Sequence, residues 1–233
     1  FGHVHNIQSF IGGLALRFGV IHSRSKNRIS SDLIKLILAG DSNVKAEDRA
    51  RVSLAMLTGD GIPKNIGLGL KIIESLPARL AEKYAATIAR SLLDSDKLGS
   101  YRWALMAGAL NQKGAMSLML SLEQQLSLDT VLNLQREGMS ERSYSLSRKT
   151  TVAEIRNNAR GSFLGLGRKK DYYGAIYWSS ICSAAGDLEC SNLEKQINLK
   201  LQSNSGWATN TMIQRARDAA TSDWVRFGLD STL

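Results

Sequence analysis

The side chains that could do chemistry in this chain are few and poorly placed for it. Histidine occurs only as His3, His5 and His22. His3-x-His5 would offer two imidazoles to one metal if it lay on a strand, where alternate residues share a face. No cysteine or carboxylate lies near it in sequence, so no metal centre is expected. A Ser/His/Asp or Cys/His catalytic set would have to recruit His22, which sits in a basic turn. Gly59-x-Gly61 and Gly165-x-Gly167 have the spacing of phosphate-loop fragments. Neither follows a strand or continues as Gly-Lys-(Ser/Thr), so both read as turns between helices. The carboxylates are scattered along solvated helix faces. The expectation is a non-enzymatic chain without cofactor.

One cluster has the composition of a binding surface. Arg168-Lys169-Lys170 runs directly into Tyr172 and Tyr173, with Tyr177 and Trp178 one turn later. Basic residues beside aromatics bind single-stranded nucleic acid, and Arg, Tyr and Trp also dominate protein-binding hot spots. The plainer expectation is that Trp178 belongs to the core and the tyrosines are partly exposed.

Charge sharpens this choice of partner. The net charge is +9. Residues 139–170 hold Arg142, Arg148, Lys149, Arg156, Arg160, Arg168, Lys169 and Lys170 against Glu141 and Glu154, a net of +6. Residues 17–35 hold a net of +4, so the remainder sums to −1. Two basic patches therefore carry the whole excess, suited to an acidic protein surface, an anionic membrane surface or a nucleic acid. We take Arg142, Arg148, Lys149, Arg168, Lys169, Lys170, Tyr172 and Tyr173 as the candidate partner-binding residues.

The elements that must position these residues are helices. Only Pro63 and Pro77 interrupt 233 residues, aromatics make up 6%, and Ala, Leu and Ser are common. Helical spacing is legible at Ala50, Leu54 and Leu57, at Gly69, Ile72, Ile73 and Leu76, and over Leu80 to Leu93. It continues over 101–110, 115–126, 128–136, 152–163, 175–185, 188–201 and 208–220. Ser30-Ser31-Asp32 offers an N-cap for a helix over Leu33 to Ala39 closed by Gly40. Asn6 to Val20 could form a helix weakened by its glycines. Residues 138–150 lack helical periodicity, carry four serines and read as a linker. No stretch of about 18 apolar residues offers a transmembrane segment. The first residue is Phe1, which leaves open a removed signal peptide or a fragment boundary.

The pattern also repeats. Shifting Tyr101-Arg102-Trp103 by 75 positions superposes Trp103 on Trp178, Ala107 on Cys182, Ala115 on Cys190, Leu118 on Leu193 and Leu122 on Ile197. A fixed internal period means stacked units of one design. Ala50, Leu54, Leu57, Gly59, Gly61, Ile62, Asn65, Gly69 and Ile73 form one run of a motif. Ala159, Phe163, Gly165, Gly167, Asp171, Ala175, Trp178, Ala184, Ala185, Gly186 and Asp187 form another.

These runs resemble the Sel-one-like repeat, a relative of the tetratricopeptide repeat. The resemblance spans roughly residues 46–220 and departs from the family pattern at Asp94 to Gly99, where a Gly-x-Gly turn is missing. It implies an all-α chain, an α-solenoid of antiparallel helix pairs in two short tandem arrays. The expected boundaries are an N-terminal segment at 1–45, a first array at 46–137, a linker at 138–150 and a second array at 151–233. It implies a disulfide between Cys182 and Cys190, the alternative being two buried thiols. A disulfide would imply an oxidising compartment. The function implied is a protein–protein interaction scaffold, a periplasmic or secreted subunit of a bacterial envelope assembly of the secretion, conjugation or flagellar-motor type that meets acidic protein surfaces. A nucleic-acid-binding protein and a cytoplasmic or host-delivered adaptor are the alternatives.

Overall fold

The computed structural model describes residues 29–139, 144, 146–147, 149–202 and 207–227, with the backbone alone described at 207 and 208. Every regular element among them is a helix, and none is long and apolar enough to cross a membrane. The candidate helix over Asn6 to Val20, all three histidines and the basic patch as far as Arg28 lie outside the described residues. The chain divides into two compact units, Phe1–Leu92 and Leu93–Leu233.

The first unit contains α1 (Ser31–Leu38), α2 (Ala46–Thr58), α3 (Ile66–Glu74), α4 (Ala78–Lys83) and α5 (Ala85–Leu92). The Ser30 hydroxyl accepts the Leu33 amide at 3.1 Å and starts α1. Helix α1 buries Ile34 and Ile37 against Val52, Met56, Ile62 and Ile72. Helices α2 and α3 approach closely at Gly69. A Cβ there would stand 2.9 Å from Leu57 Cγ, and the buried Ser53 hydroxyl donates to the Gly69 carbonyl at 2.6 Å. The single helix expected over Leu80 to Leu93 is two, α4 and α5. The Tyr84 amide donates to the Ala81 carbonyl at 3.0 Å, an i→i+3 bond that tightens and ends the first.

The second unit contains α6 (Lys97–Ala109), α7 (Ala115–Glu123), α8 (Leu128–Arg136), α9 (Val152–Leu164), α10 (Tyr172–Ala184), α11 (Leu188–Gln202) and α12 (Trp207–Phe227). Its core gathers Leu146, Ile155, Ala159, Trp178, Ile181 and Ala220, with Trp224 and Phe227 packed on it. That packing carries α12 past the end expected near Ala220.

Two shifts superpose local geometry. Moving α2 and its turn by 106 positions lands on α9, and the bounds of both 13-residue helices coincide. Each ends on a left-handed glycine, Gly59 (φ 80) or Gly165 (φ 71), followed by Gly61 (φ 73) or Gly167 (φ 70). Each turn closes with the next helix's cap residue donating its amide backwards, Asn65 to the Met56 carbonyl at 2.8 Å and Asp171 to the Ser162 carbonyl at 2.9 Å. Moving α6 by 75 positions lands on α10, again 13 residues in both. The caps coincide too. Asp96 accepts from the Gly99 amide at 2.9 Å, and Asp171 from the Gly174 amide at 2.9 Å.

The two compact units divide between Leu92 and Leu93. Helices α6 to α8 belong with those that follow, because buried side chains bind them together. Gln135 of α8 donates to the Tyr101 hydroxyl of α6 at 2.8 Å and accepts the Tyr172 amide of α10 at 3.0 Å. Gly108 of α6 lies so close to the turn after α9 that a Cβ would stand 2.4 Å from the Gly165 carbonyl oxygen. The 138–150 stretch also contributes inward. Leu146 is buried in the core, and Tyr144 packs against it.

Candidate functional site

Asp171 organises the most developed surface feature of the second unit. As the cap of α10 its carboxylate accepts the amides of Tyr173 and Gly174, and the Tyr144 hydroxyl also donates to it. Gly174 makes room, since a Cβ there would stand 2.6 Å from the Tyr144 ring. Burial raises the Asp171 carboxyl above its ordinary range, opposed by these hydrogen bonds and by Arg136. Burial, and after it the Asp171 charge, pushes the Tyr144 hydroxyl far above the usual phenol range. The Tyr144 ring sits 5.4 Å from both the Tyr173 and Tyr177 rings. Arg136, in the last turn of α8, stacks its guanidinium 4.4 Å from the Tyr173 centroid and donates to the Tyr144 hydroxyl at 3.3 Å.

Opposite these aromatics runs one face of α12, carrying Thr211, Met212, Arg215, Asp218, Ala219, Ser222 and Asp223. The spacing keeps all seven on one side of the helix over three turns. The Tyr177 hydroxyl donates to Asp223 at 2.6 Å and fixes one end. Between the walls lies an open cleft of about 690 Å³. Tyrosine, arginine and methionine are the residue types enriched at protein interfaces.

The expected partner-binding residues scatter. Arg142 and Arg148 lie outside the described residues, and Lys149 is exposed. Arg168 and Lys169 are half-buried and spend hydrogen bonds on the carbonyls of Asn158 (3.1 Å) and Glu137 (2.6 Å). Lys170 and Tyr172 do not belong to any surface. Lys170 is 3% exposed and Tyr172 is 0% exposed. Of the six that are described, Tyr173 alone lines the cleft. Trp178 is in the core as expected, and Tyr177 is buried beside it rather than partly exposed.

Lys170 and Tyr172 point instead at Glu123, a group the sequence did not single out. Its Oε1 accepts from Lys170 Nζ (2.8 Å) and the Tyr101 hydroxyl (2.8 Å). Its Oε2 accepts from Lys200 Nζ (3.0 Å) and the Tyr172 hydroxyl (2.9 Å). Burial opposes ionisation of Glu123, yet the two lysines outweigh it and hold the carboxyl below its ordinary range. Every acceptor direction is filled, so this cluster is a structural hub with no room for a substrate. Nothing in the spacing of 123, 170 and 200 signals it.

Cys182 of α10 and Cys190 of α11 form a disulfide across the turn at Gly186, with Cα atoms 5.8 Å apart and both residues 0% exposed. Asp187 in that turn accepts the Cys190 amide at 3.0 Å and Arg156 Nε at 3.0 Å. The amide first, and Arg156 after it, hold its carboxyl below the ordinary range despite some burial. Among the described residues no group of three or more His, Cys, Asp or Glu could hold a metal ion.

No family model matches this chain, nor does any curated protein or solved structure.

Proposed function

We propose that this chain is a non-enzymatic protein–protein interaction scaffold built of Sel-one-like helix pairs, and that it serves in an oxidising compartment as a periplasmic subunit of a bacterial envelope assembly. The observation that carries the reading is the cleft between α12 and the Arg136–Tyr144–Tyr173 wall, whose side chains are those of a binding hot spot rather than a catalytic set. The matching turns at Gly59 and Gly165 support the stacked-pair architecture. The Cys182–Cys190 bond supports the compartment, since such bonds persist outside the reducing cytosol. The nucleic-acid alternative loses its main support, because Lys170 and Tyr172 of the basic-aromatic run face inward.

The test is made on the full chain in the cell that produces it. Osmotic-shock release, thiol labelling before and after reductant, and native sizing are read together. Release from the periplasm with both thiols protected, in a complex well above the 25.5 kDa chain mass, supports the reading. Free thiols in the cytosolic fraction, or a chain that runs only as a monomer, refutes it.

A further inference from the structure

The α12 wall of the cleft is charged in a definite order, and that order selects a ligand. Arg215 lies toward the start of the lining face, Asp218 near its middle and Asp223 at its end. None of the three has an ion-pair partner among the described residues. Asp218 accepts a hydrogen bond from Gln214 on the same helix, and Asp223 accepts one from Tyr177. Arg215 is exposed, and its guanidinium makes no hydrogen bond among the described residues. Charges of both signs thus face one cleft, with Arg215 and Asp223 about two turns apart and Asp218 between them.

Each simple ligand is disfavoured by one end. A nucleic acid or a uniformly acidic segment meets Asp218 and Asp223 with like charge, while a uniformly basic segment meets Arg136 and Arg215. A ligand carrying one charge of each sign satisfies both ends. The eight helical steps from Arg215 to Asp223 cover about 12 Å, which an extended chain spans in about three to four residues. Ala219 lies between the charged ends, and across the cleft the half-buried Tyr144 and Tyr173 rings provide an apolar surface for intervening side chains.

We propose that this cleft seats an extended peptide segment of a protein partner, with an acidic residue against Arg215 and a basic residue three or four positions away against Asp223. The proposal rests on the scaffold reading and names the chemistry of what is bound.

Fluorescein-labelled peptide mixtures test it against the intact full-length chain by anisotropy. The sets are Glu-x-x-x-Arg, Arg-x-x-x-Glu, Glu-x-x-x-Glu and Arg-x-x-x-Arg, with x drawn from Ala, Ser, Leu and Tyr, alongside labelled oligo(dT). One of the two mixed-charge orders should bind about ten-fold tighter than either single-sign set. Arg215→Glu makes the α12 wall acidic at both ends. It should weaken that mixed-charge set about ten-fold and strengthen Arg-x-x-x-Arg, a gain that misfolding cannot produce. Tightest binding of the doubly acidic set or of oligo(dT), no binding by any set, or an Arg215→Glu variant with unchanged preference overturns the proposal. If the peptides fail while the cellular complex persists, the groove assignment alone falls. If the complex is absent as well, the scaffold reading falls with it.

Discussion

Replacing Glu123 by Gln tests the reasoning about the buried hub most severely. The carboxylate is 4% exposed and Lys170 is 3% exposed, whereas Lys200, at 37%, can turn to water. Glu123→Gln therefore strands one ammonium in the core and leaves the other nearly unaffected. Breaking a buried pair from one side costs about 3–5 kcal/mol. For a unit of this size that corresponds to a Tm lower by about 10–20 °C. Removing both charges in Glu123→Gln/Lys170→Met should recover part of the loss, because the stranded charge is gone. The pH dependence follows from the same geometry. The folded carboxyl titrates below its ordinary 4.5, so its stabilisation is complete above that value and is lost as pH falls through the folded value. Lys170 is held below its ordinary value by burial first, with Glu123 opposing; that shift favours folding only as pH rises through the alkaline range. The acid limb of the stability curve should therefore flatten in Glu123→Gln. Calorimetry from pH 3 to 8 reads both effects. A Tm within about 2 °C of the parent chain at pH 7, or a double variant whose loss is the sum of the two single losses, refutes the account.

Other perturbations reach other links. Reducing the Cys182–Cys190 bond opens a loop of sequence separation 8 and should cost about 2–3 kcal/mol on the chain-entropy account, read as a lower urea midpoint with unchanged slope. Gly108→Ala places a methyl 2.4 Å from the Gly165 carbonyl oxygen. The gain in helix propensity should be overwhelmed by strain of about 1–3 kcal/mol, and a stabilised variant in chemical denaturation would contradict the close approach. Asp96→Ala removes the cap on the Gly99 amide and should lower unfolding free energy by about 1 kcal/mol, with hydrogen exchange rising first in the opening turn of α6.

Much of the helical architecture was legible because its signals are local. Gly59, Gly165 and Gly186 sit where helices end with positive φ, and Asn65 and Asp171 sit where helices begin. The break at Tyr84 was not legible, since neither proline nor glycine marks it and the apolar spacing runs through. The cleft was only half visible. Tyr173 was singled out, but Arg136 and the α12 residues come from distant positions that meet only in three dimensions. Reading a run of like charges as a surface failed at Lys170 for the same reason. Its counter-charge, Glu123, lies 47 positions upstream, and no count within the 139–170 window includes it. Arg156 is likewise taken up by Asp187 and Glu189.

The 75-position shift between α6 and α10 places Ala107 and Ala115, both fully buried, where the other copy has Cys182 and Cys190. The earlier helix pair meets its neighbour through α6 and α7 with methyl groups at those two positions, so the geometry does not depend on a covalent link. In the later pair the same two positions carry the Cys182–Cys190 disulfide. Packing and covalent link are therefore separable contributions there, and the bond reinforces a contact whose counterpart in α6 and α7 is held by methyl groups alone.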